Sequence, residues 1–233
     1  MRTLNPNVSV DCLVFGYEAG ELKLLLIQRD ASRANDRSVL SWTLPGDLIQ
    51  DDEDLDDAAH RVLQELTTLD RVFLKQFGAF GDPSRVRRPA DKIWLEKTRA
   101  FPEARVITVA YYALVNVGHF SPSPSNFAVD TQWMSLNEIP DLAFDHNLIV
   151  QKGIETLRNE VESSTIAFQL LPEKFTLSQI QELYETILDQ PLDKRNFRKK
   201  ILALDILKPL KEKQKGVSHK PAQLFRLKLF KKN

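Results

Sequence analysis

Two groups of residues in this 233-residue chain have the types and spacing for chemistry. The first runs from Asp51 to Asp57, where six of seven positions are acidic, and continues to Arg61 and Glu65. Such a cluster could hold a divalent cation for phosphate chemistry if helical carboxylates shared one face at i, i+3 and i+4. Around Glu65, the helical carboxylate, the positions three before and one after carry Val62 and Leu66 instead of acids. Those two fall in helical register with Leu55, Ala59 and Leu69 and extend an apolar stripe. Arg61 and Glu65, four apart, are expected to pair with each other. The acids at 51–57 precede or begin the helix, where they favour its dipole. The reading is of a helix with better core and no metal site, and no cofactor is expected.

The second group is basic. Lys194, Arg195, Asn196, Arg198 and Lys199 open the segment DKRNFRKKILALDIL, and Lys215, His219 and Lys220 follow around Gly216. Arg and Asn can pair bidentately with guanine and adenine. The later basic residues suit phosphates, which position a protein on DNA without specifying sequence.

Elements must position both groups. Val8–Tyr17 and Glu21–Gln28 alternate around Glu18-Ala19-Gly20, which predicts a hairpin. Ser41–Gly46 leads into the first helix. Phe73–Phe80 and Arg105–Val115 read as strands, the second β-branched and aromatic enough to be central. Phe127–Met134 reads as an edge strand, Asp91–Arg99 as a short helix, and Asp145–Ser163 as a closing helix. Interleaved strands and helices predict an α/β fold, a mixed sheet in an α/β/α sandwich. A boundary is expected near Glu162–Ala167, giving units at 1–163 and 164–233.

In the second unit Thr176 and Gln179 form a capping-box pattern. Leu177, Ile180, Leu183, Tyr184 and Ile187 make the core face of that helix. Asp189–Leu192 breaks it, and a second helix starts at Asp193 with Phe197, Ile201 and Leu204 inward. An alternating strand at Ala222–Leu229 then completes a hairpin with a basic tip. Helix, turn, basic helix and hairpin is the order of a winged helix-turn-helix, whose second helix enters the major groove. Thr176 and Ser178, at the start of the first helix, join the candidate DNA-facing set.

Bulk properties agree. The formal net charge of zero conceals an asymmetry: residues 1–169 carry 17 Lys and Arg against 25 Asp and Glu, whereas residues 170–233 carry 15 against 7. An acidic body with a basic module points to a polyanionic partner, here a double-stranded DNA operator. No apolar run approaches the ~18 residues of a membrane span. The start of the chain lacks a signal peptide's apolar core. Cys12 is the one cysteine, so no intrachain disulfide forms. These features predict a cytoplasmic protein without a membrane partner.

Leu44 to Leu69 resembles the Nudix box of nucleoside-diphosphate-linked hydrolases. It keeps Pro45, Gly46, Glu53, Arg61, Leu63 and Glu65. It departs at Asp47, Val62, Leu66, Thr68 and, mildly, Leu69. The missing carboxylates imply a non-hydrolytic descendant of the Nudix fold. The alternative is a hydrolase of ADP-ribose or a related nucleoside diphosphate compound that uses the acids at 51–57.

The whole chain resembles the Nudix-related transcriptional regulators of bacteria. The likeness rests on Leu44-Pro45-Gly46 with Glu53, Phe80–Pro83, Arg105–Tyr111, Phe144-Asp145-His146, Pro191–Phe197 and Lys220-Pro221-Ala222. It implies a homodimeric repressor released from DNA by a small-molecule effector. Relatives with intact glutamates bind or cleave ADP-ribose-type compounds, and others serve sugar-utilisation genes. The insert Arg85–Ala104 resembles the branch linked to L-arabinose, which implies a neutral sugar effector. Tyr17, Lys23, Trp42, Asp47, Asp82, Arg105, Tyr111, Asp145 and His146 are the candidates to line its cleft. The basic run Arg85–Arg88 is expected to be a solvated loop face.

Overall fold

A computed structural model describes residues 3–29, 42–70, 72–120, 122–124, 128–216, 218 and 220–228. The first half is built on a seven-stranded mixed sheet. Its spine is β1 (Leu4–Glu18), paired in parallel with β6 (Ile107–Asn116) and antiparallel with β2 (Glu21–Arg29). β3 (Trp42–Thr43) and β7 (Ala128–Ser135) pair with β2, β4 (Gly46–Gln50) pairs with β1, and β5 (Lys75–Phe80) pairs with β6. The sequence reading missed two strands, β3 with two residues and β4 with five. Five residues with a glycine at one end carry little strand signal. Pairing with the long β1 supplies what intrinsic preference does not.

Alternation on β1 divides the core in two. Val10, Cys12 and Val14 face α1 (Leu55–Thr67), where they meet Ala59, Val62, Leu63 and Leu66. Leu13 and Phe15 face α3 (His146–Ser163), where Gly153 admits the Leu13 side chain: a Cβ there would lie 2.2 Å from it. α2 (Pro89–Thr98), a residue or two earlier than expected, belongs to the insert. Its Leu95, with Val86 and Val106, packs on Leu48, Ala143 and Phe144.

After α3 the chain makes a 3-10 turn at Ile166–Leu170, then α4 (Leu177–Leu188), α5 (Lys194–Ala203) and a two-stranded hairpin of β8 (Leu207–Lys213) and β9 (Gln223–Leu227). Thr176 and Gln179 complete the expected capping box, and Asp193 caps α5 by accepting from the Asn196 amide at 2.8 Å. Phe197 and Ile201 are buried as expected, but Leu204 is 51% exposed. The cause is the end of the helix at Ala203, which places Leu204 at the cap and off the inward face. One apolar cluster runs from Leu13 and Phe15 on the sheet through Leu157 and Val161 on α3 to Ile180, Leu183, Phe197 and Ile201.

Candidate functional site

The acidic region holds itself together. Arg61 grips both oxygens of Glu53, at 2.8 Å from Nε and 2.6 Å from Nη2, and pairs with Glu65 at 3.1 Å. Its Nη2 also donates to the Leu48 carbonyl, and Glu53 accepts from the Gln50 amide. These bonds raise the Arg61 pKa, with the Glu53 hydrogen bond the chief cause. Val62 and Leu66 are 0% and 1% exposed, inside the core beneath the face where metal ligands would stand. Asp54 caps α1 by accepting from the Asp57 amide. Thr68 ends it at φ +61°, a conformation that glycine adopts more cheaply.

A different, buried polar cluster lies between β1, β3 and the insert. Arg85 is buried and makes a fork to Asp145, Nε to Oδ2 at 3.0 Å and Nη2 to Oδ1 at 2.9 Å, and reaches Asp11 at 3.3 Å. His146 is also buried. Its Nδ1 accepts from the Leu44 amide at 3.1 Å and lies 2.8 Å from the Thr43 hydroxyl. That amide contact places the ring proton on Nε2, which faces Asp11 Oδ1 at 3.4 Å. Burial would raise the Asp11 pKa, but His146 and Arg85 outweigh it and hold the carboxyl well below the usual range. Gly46 makes this possible, since a Cβ there would lie 1.9 Å from Asp11 Oδ1.

Arg29, at the end of β2, is 5% exposed. Its guanidinium carbon lies 4.0 Å from the Trp94 ring centre and 4.4 Å from that of Phe144, in the angle between two edge-to-face rings. Nη2 donates to Thr43 Oγ1 at 3.3 Å, while Nε and Nη1 have no hydrogen-bond partner among the described residues. Burial pushes the Arg29 pKa down to about 10, with nearby Asp91 opposing, so the group remains a cation at neutral pH. Phe144 has φ +56°, which costs a bulky residue about 1–3 kcal/mol. The insert holds it there: its amide donates to Asp91 and its carbonyl accepts from Arg88. Asp47 lies on β4, buried enough to raise its pKa, with Arg99 and Arg61 opposing.

Asp47, Asp145 and His146 therefore line this region, with Trp42 beside it, its carbonyl accepting from the Ala143 amide at 3.0 Å. The other candidates lie elsewhere. Tyr17 and Lys23 are at the far end of the β1–β2 hairpin, where Lys23 pairs with Glu18 and burial near Glu182 pushes the Tyr17 pKa up to about 12. Tyr111 is core beneath α1 and donates to Asp56. Asp82 accepts from the Ser84 amide and hydroxyl in a turn, and Arg105 donates to the Gly81 carbonyl at the surface. The sequence reading missed Asp11, Arg29, Asp91 and Trp94. Arg85 and Arg88 are corrections: both are held in the fold, not spread over a solvated loop, because Asp145 and the Leu142 and Phe144 carbonyls bind them. Their basic run was the available signal.

On the C-terminal unit, Lys194, Arg195 and Asn196 are exposed on the first turn of α5, and Lys199, Lys215 and Lys220 are exposed as well. Thr176 is corrected: it is 3% exposed and spent on its cap. Arg198 donates to the Ser178 hydroxyl at 3.2 Å and ties α5 to the start of α4. His219 lies outside the described residues.

Comparison with known proteins agrees with this arrangement. Residues 5–153 match the NUDIX domain, and residues 167–227 match the NrtR DNA-binding winged helix domain. The chain is 30% identical over 229 residues to the "ADPR responsive transcriptional repressor NtrR" of Acinetobacter baylyi, covering 97% of this chain and 83% of that protein. It is similar to the crystal structure of Shewanella oneidensis NrtR complexed with a 27mer DNA (TM-score 0.71, 28% identity, 95% of this chain and 93% of that one). The NUDIX domain of the same Shewanella protein complexed with ADP ribose is also similar (TM-score 0.51, 28% identity, 65% of this chain and 88% of that one). With an effector-type NUDIX fold, a DNA-binding winged helix and this likeness along nearly its full length, the chain belongs to the NrtR family of transcriptional repressors.

Proposed function

We propose that residues 1–163 bind an anionic effector of the ADP-ribose class and that residues 164–233 bind operator DNA as a homodimer. The observation that carries the effector class is Arg29, a buried cation with two N–H donors that lack acceptors among the described residues, beside an aromatic wall. A diphosphate or phosphate offers the acceptors that such a fork takes in pairs. A neutral sugar does not supply the charge. None of the relatives described above is named for arabinose, whereas one is named for ADPR and another was crystallised with ADP ribose. The L-arabinose expectation and its sugar-utilisation genes therefore give way to this reading.

Effector binding acts without hydrolysis, because Val62 and Leu66 stand in the core at the positions a metal-binding helix needs for carboxylates. A dimer placed on two half-sites requires strict spacing, so a small change between the two units is enough to release it. The test is a gel-shift titration with a duplex selected from random sequence by the full chain. ADP-ribose should weaken the complex and L-arabinose should leave it unchanged. Insensitivity to ADP-ribose would remove the effector assignment. Mg2+-dependent turnover of ADP-ribose that Glu65→Gln abolishes would remove the non-hydrolytic one.

A further inference from the structure

The hairpin of β8 and β9 carries cations that neither α5 nor the hairpin tip accounts for. On its inner face Leu207 stands opposite Leu227, and Pro209 opposite Phe225; both leucines and the phenylalanine pack on the shared apolar cluster. Side chains alternate along a strand, so the pair between these two, Lys208 opposite Arg226, projects from the outer face. On the other side of β9, Phe175 donates its amide to the Phe225 carbonyl at 3.0 Å and accepts the Phe225 amide at 2.7 Å. That antiparallel bridge sets Lys174 beside Arg226. Lys208, Arg226 and Lys174 therefore lie abreast on adjacent segments, with backbones about 5 Å apart. Like charges directly opposite on a sheet repel and lower stability. Nearby acids do not relieve Lys208 and Arg226. Asp205 and Glu212 are the acids between positions 204 and 228, and each holds another lysine: Lys228 at 2.6 Å from Asp205, and Lys174 at 2.9 and 2.8 Å from the two Glu212 oxygens. Lys208 and Arg226 make no ion pair among the described residues.

We infer that the outer face of this hairpin is a second contact with DNA, in which Lys208 and Arg226 hold phosphates of the duplex that flanks the half-site met by α5. The inference rests on residues 164–233 being the DNA-binding unit. A row of cations crossing a sheet fits a chain of repeating phosphates, each of which takes one positive charge and releases a counterion. The excess of 15 Lys and Arg over 7 Asp and Glu in residues 170–233 gives the surrounding field the same sign. An anion laid along the row relieves the repulsion that the free protein carries between strands. The outer face points away from the apolar cluster on which the helices pack, so the duplex reaches it by running on past the hairpin. Such contacts lengthen the footprint and fix its path, and they add no reading of base sequence.

The test compares two duplexes with the full chain: a core selected from random sequence, and the same core with about ten base pairs, one helical turn, of unrelated sequence added at each end. The wild type should bind the longer duplex about tenfold more tightly at about 0.1 M salt, with a steeper fall of log affinity against log salt. Lys208→Gln with Arg226→Gln, which keeps both stems, should bind the core as the wild type does and lose the gain from the flanks. Its salt slope on the longer duplex should fall by about 2, close to one for each phosphate released. The melting temperature of this variant should hold or rise, because the cross-strand repulsion is gone. Equal binding of the two duplexes by the wild type overturns the inference, as does a flank gain that survives in the double variant. A lower melting temperature would make the pair structural. A change in the sedimentation of the free chain, with the flank gain intact, would assign the row to a second copy and overturn the DNA contact. Failure of the wild type to bind the core would instead remove the DNA-binding reading on which the inference rests.

Discussion

Trp94 of α2 covers Arg29 of β2 at 4.0 Å, which joins the segment between β5 and β6 to the end of a core strand. The contact is cationic, and two guanidinium N–H groups have no hydrogen-bond partner among the described residues.

Arg29→Lys keeps the charge but replaces a planar fork with a point charge on a flexible stem. ADP-ribose affinity measured by calorimetry should fall about tenfold or more, by the loss of a bidentate contact. The melting temperature should move by only a few degrees, as the stacking itself contributes about 1 kcal/mol. Unchanged affinity would place the effector elsewhere.

The Asp11–Arg85–Asp145 cluster should set the acid limb of stability. The folded Asp11 pKa is depressed, so its contribution is complete above the unfolded value of about 4 and is lost as pH falls toward the folded one. Asp11→Ala leaves Arg85 partly unpaired in the interior and should cost about 3–5 kcal/mol at pH 7 in urea unfolding. The gap between wild type and variant should shrink as pH drops from about 5 toward 2. A gap independent of pH would show that charge is not the cause.

Thr68→Gly should raise stability by about 1 kcal/mol, because Thr68 sits at φ +61° where glycine carries no Cβ penalty. Urea midpoints at equal slope would measure it. Restoring the family's carboxylates is expected to do the reverse. Val62→Glu with Leu66→Glu puts two acids in a closed core and should unfold much of the protein, with no hydrolysis gained.

Arg195→Ala should weaken operator binding by about 1–3 kcal/mol and relax discrimination at one base pair. Lys215→Ala should weaken all duplexes alike and lower the slope of log affinity against log salt by about 1. Competition assays at two salt concentrations separate the cases. The assignments fail if both variants behave identically.

The fold was largely legible because periodicity is local. The stripe through Leu55, Ala59, Val62 and Leu66 and the capping box at Thr176 are each readable within a few residues. The cleft was not. Asp11, Arg29, Arg85 and His146 are brought together from four separate segments, and no spacing rule connects them. Arg85 looked solvated because its partners, Asp145 and Asp11, lie 60 and 74 positions away. Thr176 carried two compatible readings, cap and DNA contact, and only burial separates them.

The apolar cluster that runs from Phe15 through Val161 to Ile201 has a consequence for how the molecule comes apart. Thr186 donating to the Gly20 carbonyl and Arg158 donating to the Ile187 carbonyl close its edges with hydrogen bonds between the halves. Cutting the chain after α3 would bare one side of this shared interior on each fragment. Reader and sensor are thus expected to melt as one cooperative unit. Information can pass between them without a hinge, as a redistribution of strain through a solid that neither half owns.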